Sequence, residues 1–178
     1  MSQDPRLGGG VDRHLYLLRH AKSSWDDPSL ADHDRPLSPR GRKAAKKVAG
    51  HIRRSGIEPD LILCSSALRT RETLDRIAPA LRGSPEALIE RGLYEASGEE
   101  LLQRLRSVPN ATRSVLLIGH NPGLQDLAIG LVGAVTPDAI AEKFPTGALA
   151  TLRVPVEWAD LAPGGSGLED YVVPRELE

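Results

Sequence analysis

A chain of 178 residues is long enough for one domain with a single sizeable core. Hydrophobic residues supply 40% and charged residues 26%, and the net charge of -1 argues against nucleic acid or an anionic membrane as partner. Cys64 is the lone cysteine, which excludes an internal disulfide and a cysteine-based metal site and favours a reducing compartment. No apolar run approaches the roughly 20 residues of a bilayer span. The N-terminal MSQDPRLGGGVDR lacks the apolar stretch of a secretory signal, so a cytoplasmic protein is expected. Residues 1–13, with Gly8-Gly9-Gly10, read as a flexible leader.

His14 to Leu18 (HLYLL) is a short apolar run ending at Arg19-His20, the pattern of a buried strand feeding a loop. A polar loop from Ala21 to Leu37 follows. Ser38-Pro39 then signals a helix start, Ser as N-cap and Pro at the first helical position. Ala44, Ala45, Val48, Ala49 and Ile52 repeat at helical spacing, and Ser55-Gly56 suits a helix stop. Asp60 to Cys64 (DLILC) is a second buried strand, running into Ser65-Ser66 and a helical stretch with Leu68, Ile77 and Leu81 that closes near Pro79 to Gly83. Ser97 and Glu100 have capping-box spacing ahead of Leu101, Leu102 and Leu105, which predicts a third helix. Ser114 to Ile118 (SVLLI) is the clearest strand and ends at Gly119-His120. Asn121-Pro122 can cap a fourth helix, and Gly147 to Val154 reads as a final strand. The Pro- and Gly-rich extension, residues 155–178, is expected to be loosely ordered around the domain of residues 14–154. Alternating strands and helices predict an α/β three-layer sandwich, a mostly parallel sheet with helices on both faces.

In such sheets ligands bind beyond the carboxyl ends of the strands. Arg19-His20, Ser65 to Arg69 and Gly119-His120 all fall there. Guanidinium groups bind phosphate oxygens through paired hydrogen bonds and keep their charge. Imidazole is partly unprotonated at neutral pH and can act as a nucleophile. Two Arg and two His at one edge therefore suit phosphoryl transfer, in which positioning and charge stabilisation supply most of the acceleration. Each residue alone has a plain structural reading, as a cap, a salt-bridge partner or a solvated side chain; the weight lies in their joint placement.

The segments LLRHAKSSW (Leu17 to Trp25), DRPLSPRG (Asp34 to Gly41), CSSALRTRET (Cys64 to Thr73) and LLIGHNPG (Leu116 to Gly123) resemble the histidine phosphatase superfamily. Their order and spacing, from about His14 to Val154, look most like its SixA-type phosphohistidine phosphatase branch. The resemblance implies a phosphoglycerate mutase-like fold and a phosphatase without metal or cofactor. It implies His20 as nucleophile, Arg19 and Arg69 as phosphoryl-binding groups, His120 as the second active-site His, and Arg35 as a further substrate contact.

Two departures stand out. Ala21 replaces the glycine that commonly follows the nucleophilic His, and Asp26 falls where mutase-like members carry Asn. The general acid is left open among Asp26, Asp32, Asp34 and Glu95. A nitrogen leaving group needs little acid help, whereas an alkyl phosphate needs a well-placed acid. The short connection between Leu81 and Ser97 suggests an open site able to take a phosphorylated side chain. Phosphohistidine protein is the expected substrate; a small-molecule phosphomonoesterase and a non-catalytic phospho-ligand binding module are the alternatives. A dinucleotide site is disfavoured because the glycine run Gly8-Gly9-Gly10 precedes the first strand, whereas a fingerprint follows it. Zinc is disfavoured because Arg19 and Arg69 would repel it.

Overall fold

The computed structural model describes residues 12–178. Its centre is a six-stranded sheet of β1 (Arg13–Arg19), β2 (Leu61–Ser65), β3 (Glu86–Glu90), β4 (Ser114–Gly119), β5 (Leu149–Val154) and β6 (Gly167–Val172), in the order β3-β2-β4-β1-β5-β6. The first four strands pair in parallel, while β5 lies antiparallel to β1 and β6 antiparallel to β5. Helices α1 (Pro39–Ser55), α2 (Leu68–Ile77), α3 (Gly98–Arg106), α4 (Gly123–Val132) and α5 (Asp138–Glu142) join them.

Side chains alternate across a strand, so each central strand feeds two cores. Leu15, Leu17, Leu63, Val115 and Leu117 point to one face, with Leu101 and Leu105 of α3 and Leu124 and Leu127 of α4. Leu18, Ile62, Cys64, Leu116 and Ile118 point to the other, with Val48 and Ile52 of α1 and Leu74 and Ile77 of α2. This is the expected three-layer α/β sandwich. β2 and β4 are buried along their whole length, which explains why they read as continuous apolar runs.

The helix signals act as the residue chemistry predicts. The Ser38 hydroxyl accepts from the Gly41 amide at 3.0 Å with Pro39 at the first helical position, and Gly56 ends α1 at φ 65°. The Ser97–Glu100 capping box is formed in both directions.

Three segments differ from the sequence expectation. β3 was not anticipated; it is an edge strand with both ends acidic and Ala87 and Ile89 exposed, so it carries little apolar signal. The extension from residue 155 is packed, because apolar anchors are spaced among its Gly and Pro residues. Trp158 is fully buried and donates to the Thr112 carbonyl at 2.7 Å, Leu161 and Val173 are buried, and β6 covers the edge of β5. At the other end, Arg13 is the first residue of β1 and is buried, one residue ahead of the expected strand start at His14. Residues 1–11 of the expected leader lie outside the described residues.

One contact ties α1 to the loop after β1. The Ser38 amide and hydroxyl both donate to the Lys22 carbonyl, at 2.9 and 3.1 Å. A methyl group at Gly41 would sit 2.0 Å from that same carbonyl oxygen. Only glycine permits so close a backbone approach. Gly41→Ala is expected to cost about 1–3 kcal/mol in urea unfolding. It should also displace the backbone two residues after His20, visible as a chemical-shift change at the His20 ring.

Candidate active site

The parallel strands β1, β2 and β4 end at one edge, and the chemistry-bearing residues leave from there. Arg19 pairs with Gly119 across β1 and β4, and the His20 amide donates to the Gly119 carbonyl at 3.1 Å. His120 follows Gly119 directly, and Arg69 lies in the first turn of α2, after β2. The His20 and His120 rings are 5.1 Å apart between centroids. His20, His120 and Arg69 are each nearly buried.

The backbone around His20 is anchored from several sides. The Gly147 amide is shared by the carbonyls of Arg19 and His20, at 3.1 and 3.0 Å. The Ala21 amide donates to the Thr73 hydroxyl at 3.0 Å, and the Leu37 amide to Glu72 at 2.7 Å. Ala21 itself is fully buried, so its methyl group is accommodated where a glycine is common.

His20 Nδ1 lies 2.7 Å from the carbonyl of Ala21. A carbonyl can only accept, so Nδ1 carries the proton and Nε2 keeps its lone pair. Burial pushes the His20 pKa from 6.5 to about 3; the hydrogen bond to Ala21 opposes this, and the charges of His120, Arg69 and Arg19 add to it. His120 is lowered to about 4, chiefly by burial and then by Arg69. Both imidazoles are therefore neutral at pH 7. His120 Nε2 is 2.7 Å from the Ser65 hydroxyl, whose oxygen already accepts the Ala67 amide at 3.3 Å. With the Ser65 hydroxyl donating to Nε2, the His120 N–H stands on Nδ1.

Three nitrogens of this cluster are buried without a partner among the described residues: Arg19 Nε, Arg69 Nε and His120 Nδ1. A buried N–H without an acceptor is costly, and these three belong to side chains whose charges act on the His20 ring, an arrangement suited to an anion. Other guanidinium donors are engaged outside the cluster. Arg19 donates to the Phe144 carbonyl at 3.0 Å. Arg69 donates to the Asp32 carbonyl at 2.7 Å and to the Asp32 carboxylate at 3.0 Å.

Asp32 organises the outer side of the cluster. Its carboxylate also accepts the Tyr94 hydroxyl at 2.6 Å and the Arg35 guanidinium at 3.1 Å. The Tyr94 and Arg69 hydrogen bonds, acting against some desolvation, hold its carboxyl down at about 2. Tyr94 in turn packs edge-on against both His120 and His33, at 5.5 and 4.8 Å, and His33 Nε2 lies 2.8 Å from the Ser66 hydroxyl.

The structure thus brings His20, Arg19, Arg69 and His120 together. Arg35 joins them only through Asp32, since its other contacts are the Ser24 carbonyl at 3.1 Å and the face of Trp25 at 3.4 Å. Asp26 stands exposed on the loop, Asp34 is exposed beside His33, and Glu95 is exposed at φ 58°. Tyr94, His33 and the hydroxyls of Ser65 and Ser66 were not singled out from sequence. Ser65 and Ser66 at a strand end were the available signal; Tyr94 and His33 had none. Among the described residues, no group of three or more His, Cys, Asp or Glu side chains is arranged to hold a metal ion. No helix of the described residues is long and apolar enough to cross a membrane.

The lowered histidine pKa values predict how stability depends on pH. Below 6.5 the unfolded chain protonates imidazoles that the folded chain keeps neutral down to about 4 and about 3. Stability therefore declines as pH falls through that window. Asp32 adds to the loss only lower, between its ordinary 3.8 and about 2. Urea unfolding should show a lower midpoint at about pH 5 than at about pH 7. His20→Asn combined with His120→Asn should flatten the difference.

Comparison with known proteins agrees with the geometry. A model of the histidine phosphatase superfamily (branch 1) matches residues 15–114. Rv1276c of Mycobacterium tuberculosis is 40% identical over 163 residues, covering 89% of this chain and all of that protein. Phosphohistidine phosphatase SixA of Escherichia coli K12 is 26% identical over 142 residues, covering 79% of this chain and 84% of its own length. A SixA assigned as a phosphohistidine phosphatase in Nakamurella multipartitia superposes with a TM-score of 0.80 at 30% identity, over 92% of this chain and 96% of that one. The protein is a phosphatase of α/β phosphoglycerate mutase-like fold, and it belongs to the histidine phosphatase superfamily.

Proposed function

We propose that the enzyme transfers the phosphoryl group of a phosphohistidine, carried on a protein, to His20 and then to water. The observation that carries the first part is the pinned ring of His20. Its Nδ1 proton is held by the Ala21 carbonyl, and its free Nε2 shares the site with three unpartnered buried nitrogens. In the first step the Nε2–P bond forms as the bond from phosphorus to the substrate nitrogen breaks, and that nitrogen takes a proton from solvent. In the second step water attacks phosphorus, the Nε2–P bond breaks, and the water proton leaves to solvent. His20 returns neutral, with its Nδ1 proton in place throughout. Arg19, Arg69 and His120 Nδ1 donate to the phosphoryl oxygens as charge spreads in the transition state. Arg35 contributes by positioning Asp32, which in turn sets the plane of Arg69.

Support for a nitrogen leaving group comes from the carboxylates. Asp32 is the acid nearest the cluster, and with a pKa of about 2 it is ionised at neutral pH and has no proton to give. Asp26 and Asp34 are exposed on the loop after β1. Leaving groups that demand a strong general acid are poorly served by such a site. Between α2 and α3 the chain forms β3 and a short turn without an inserted cap, which supports access for a side chain on another protein. A cytoplasmic location belongs to the same reading, on the strength of the lone Cys64.

A second reading, hydrolysis of small phosphate esters, is favoured by one feature. Glu95 occupies the left-handed region at φ 58°, next to Tyr94, whose ring edge meets His120. Strained backbone at such a place often serves a site.

Mixing enzyme with a phosphoramidate donor and quenching in alkali, which preserves phosphohistidine, tests the mechanism. Label is expected on His20 of the wild type and absent from His20→Ala, together with turnover. A wild type that binds phosphate without labelling or turnover would leave a binding module. Comparing kcat/KM on phosphohistidine protein and on small esters separates the two enzymatic readings. An ester preference that Glu95→Gln lowers by about a hundredfold or more would favour the second. Asp32→Asn removes the charge that orients Arg69 and should lower kcat by about ten- to a hundredfold on either substrate. His20 labelling at long times should survive that change.

A further inference from the structure

Helix α1 carries Arg40, Arg42, Lys43, Lys46, Lys47, Arg53 and Arg54, and no acidic residue. All seven cations are exposed, in a chain whose net charge is -1. Helical spacing sorts them into two rows, Arg40, Lys43, Lys47 and Arg54 in one, Arg42, Lys46 and Arg53 in the other. The apolar side of α1, with Ala45, Val48, Ala49 and Ile52, is buried against the sheet. Among the described residues none of the seven forms a salt bridge; the contact of α1 with a carboxylate is that of His51 Nε2 with Asp170, at 3.2 Å. Like charges at such spacing destabilise an isolated helix, so this face is maintained against a cost in stability.

A groove of about 740 Å³ flanks one row, lined by Arg42, Lys46 and Arg53, with Asp75 and Arg76 of α2 on its far wall. A second groove of about 720 Å³ flanks the other row, lined by Arg40, Lys43 and Lys47, with Glu142 and Glu176 among its opposite residues. That second groove also takes in Lys22, Pro145 and Thr146. Lys22 is two residues from His20, and Gly147, which follows Thr146, donates its amide to the His20 carbonyl. The basic face therefore begins at the loop that holds the nucleophile. It then runs along a helix of 17 residues, about 25 Å at 1.5 Å per residue. That is longer than a small metabolite.

We propose that this face docks an acidic surface of the protein that carries the phosphorylated side chain. The proposal rests on the phosphoprotein reading of the site and adds the chemistry of the substrate around the phosphoryl group. Opposite charge on such a surface would speed encounter and set orientation, and its effect would weaken with salt. An RNA strand is less favoured because α1 offers no Phe, Tyr or Trp for stacking bases. A membrane is less favoured because Trp25, Leu30, Ile89 and Val135, the exposed large apolar side chains among the described residues, all lie off this helix.

The test compares two phosphohistidine peptides, identical except that one is flanked by Asp and Glu and the other by Ser and Gln. Wild-type kcat/KM is expected to favour the acidic peptide by about tenfold at low ionic strength, and the preference should shrink with added salt. The triple variant Lys43→Glu, Lys47→Glu and Arg54→Glu should lose the preference while turning over small phosphoramidate at the wild-type rate. Equal kcat/KM for the two peptides in the wild type, or a preference that survives charge reversal, overturns the proposal. If neither peptide is turned over while phosphoramidate is, the phosphoprotein reading falls. The docking surface is then decided by fluorescence anisotropy with the unphosphorylated acidic peptide. Binding that the triple variant loses upholds the surface, and no binding overturns it. Tighter binding of an RNA 20-mer or of phosphatidylserine vesicles than of the acidic peptide also overturns it.

Discussion

Crowded positive charge at one sheet edge is the constraint from which the rest of the site follows. Arg19 and Arg69 lower each other's neighbours, and Arg19 itself is lowered by burial and by Arg69. Opposing them, Asp32 is the carboxylate that both pairs with Arg69 and favours the charged form of His120. Burial first, and then the shortage of negative charge at this edge, keeps both imidazoles neutral, because protonating either would add a third cation to a buried space. The same shortage favours an incoming phosphoryl dianion. Burial and one electrostatic imbalance together keep the imidazoles neutral and leave the edge suited to an anion.

The scaffold bears the cost of that imbalance with backbone anchors. The carbonyls of Arg19 and His20 share one amide, the Ala21 amide is fixed by Thr73, and the Lys22 carbonyl is clamped by Ser38. Each anchor comes from a different element: the segment before β5, helix α2 and the start of α1. The cores on the two faces of the sheet hold those elements at fixed spacing. Stability far from the site is thus expressed as orientation of the His20 ring, the property that catalysis by positioning depends on.

Much of this was legible in the sequence because strand ends and helix starts carry local chemistry. Arg19-His20 and Gly119-His120 each follow an apolar run, and Ser38-Pro39 and Ser97–Glu100 are capping signals readable from spacing alone. Other features had no local signature. β3 and β6 are edge strands, paired on one side and largely solvated, so their residues lack the continuous apolar character of β2 and β4. The Asp32–Tyr94 bond spans 62 residues and the His33–Ser66 contact 33, and no periodicity relates such positions. Arg35 was read as a ligand contact from its motif alone. Its guanidinium is engaged by Asp32 and Ser24, a role visible only once the loop is folded back.

The two tryptophans divide the molecule optically. Trp158 is fully buried in the extension, while Trp25 is 74% exposed on the loop after His20, its indole covered on one face by Arg35. Emission accessible to a soluble quencher such as iodide therefore arises from the loop, and inaccessible emission from the core. Arg35 also links that indole to Asp32 and through it to Arg69. Any ligand that draws Arg69 inward is then reported by Trp25 fluorescence without a label, with Trp158 as an internal reference in the same spectrum.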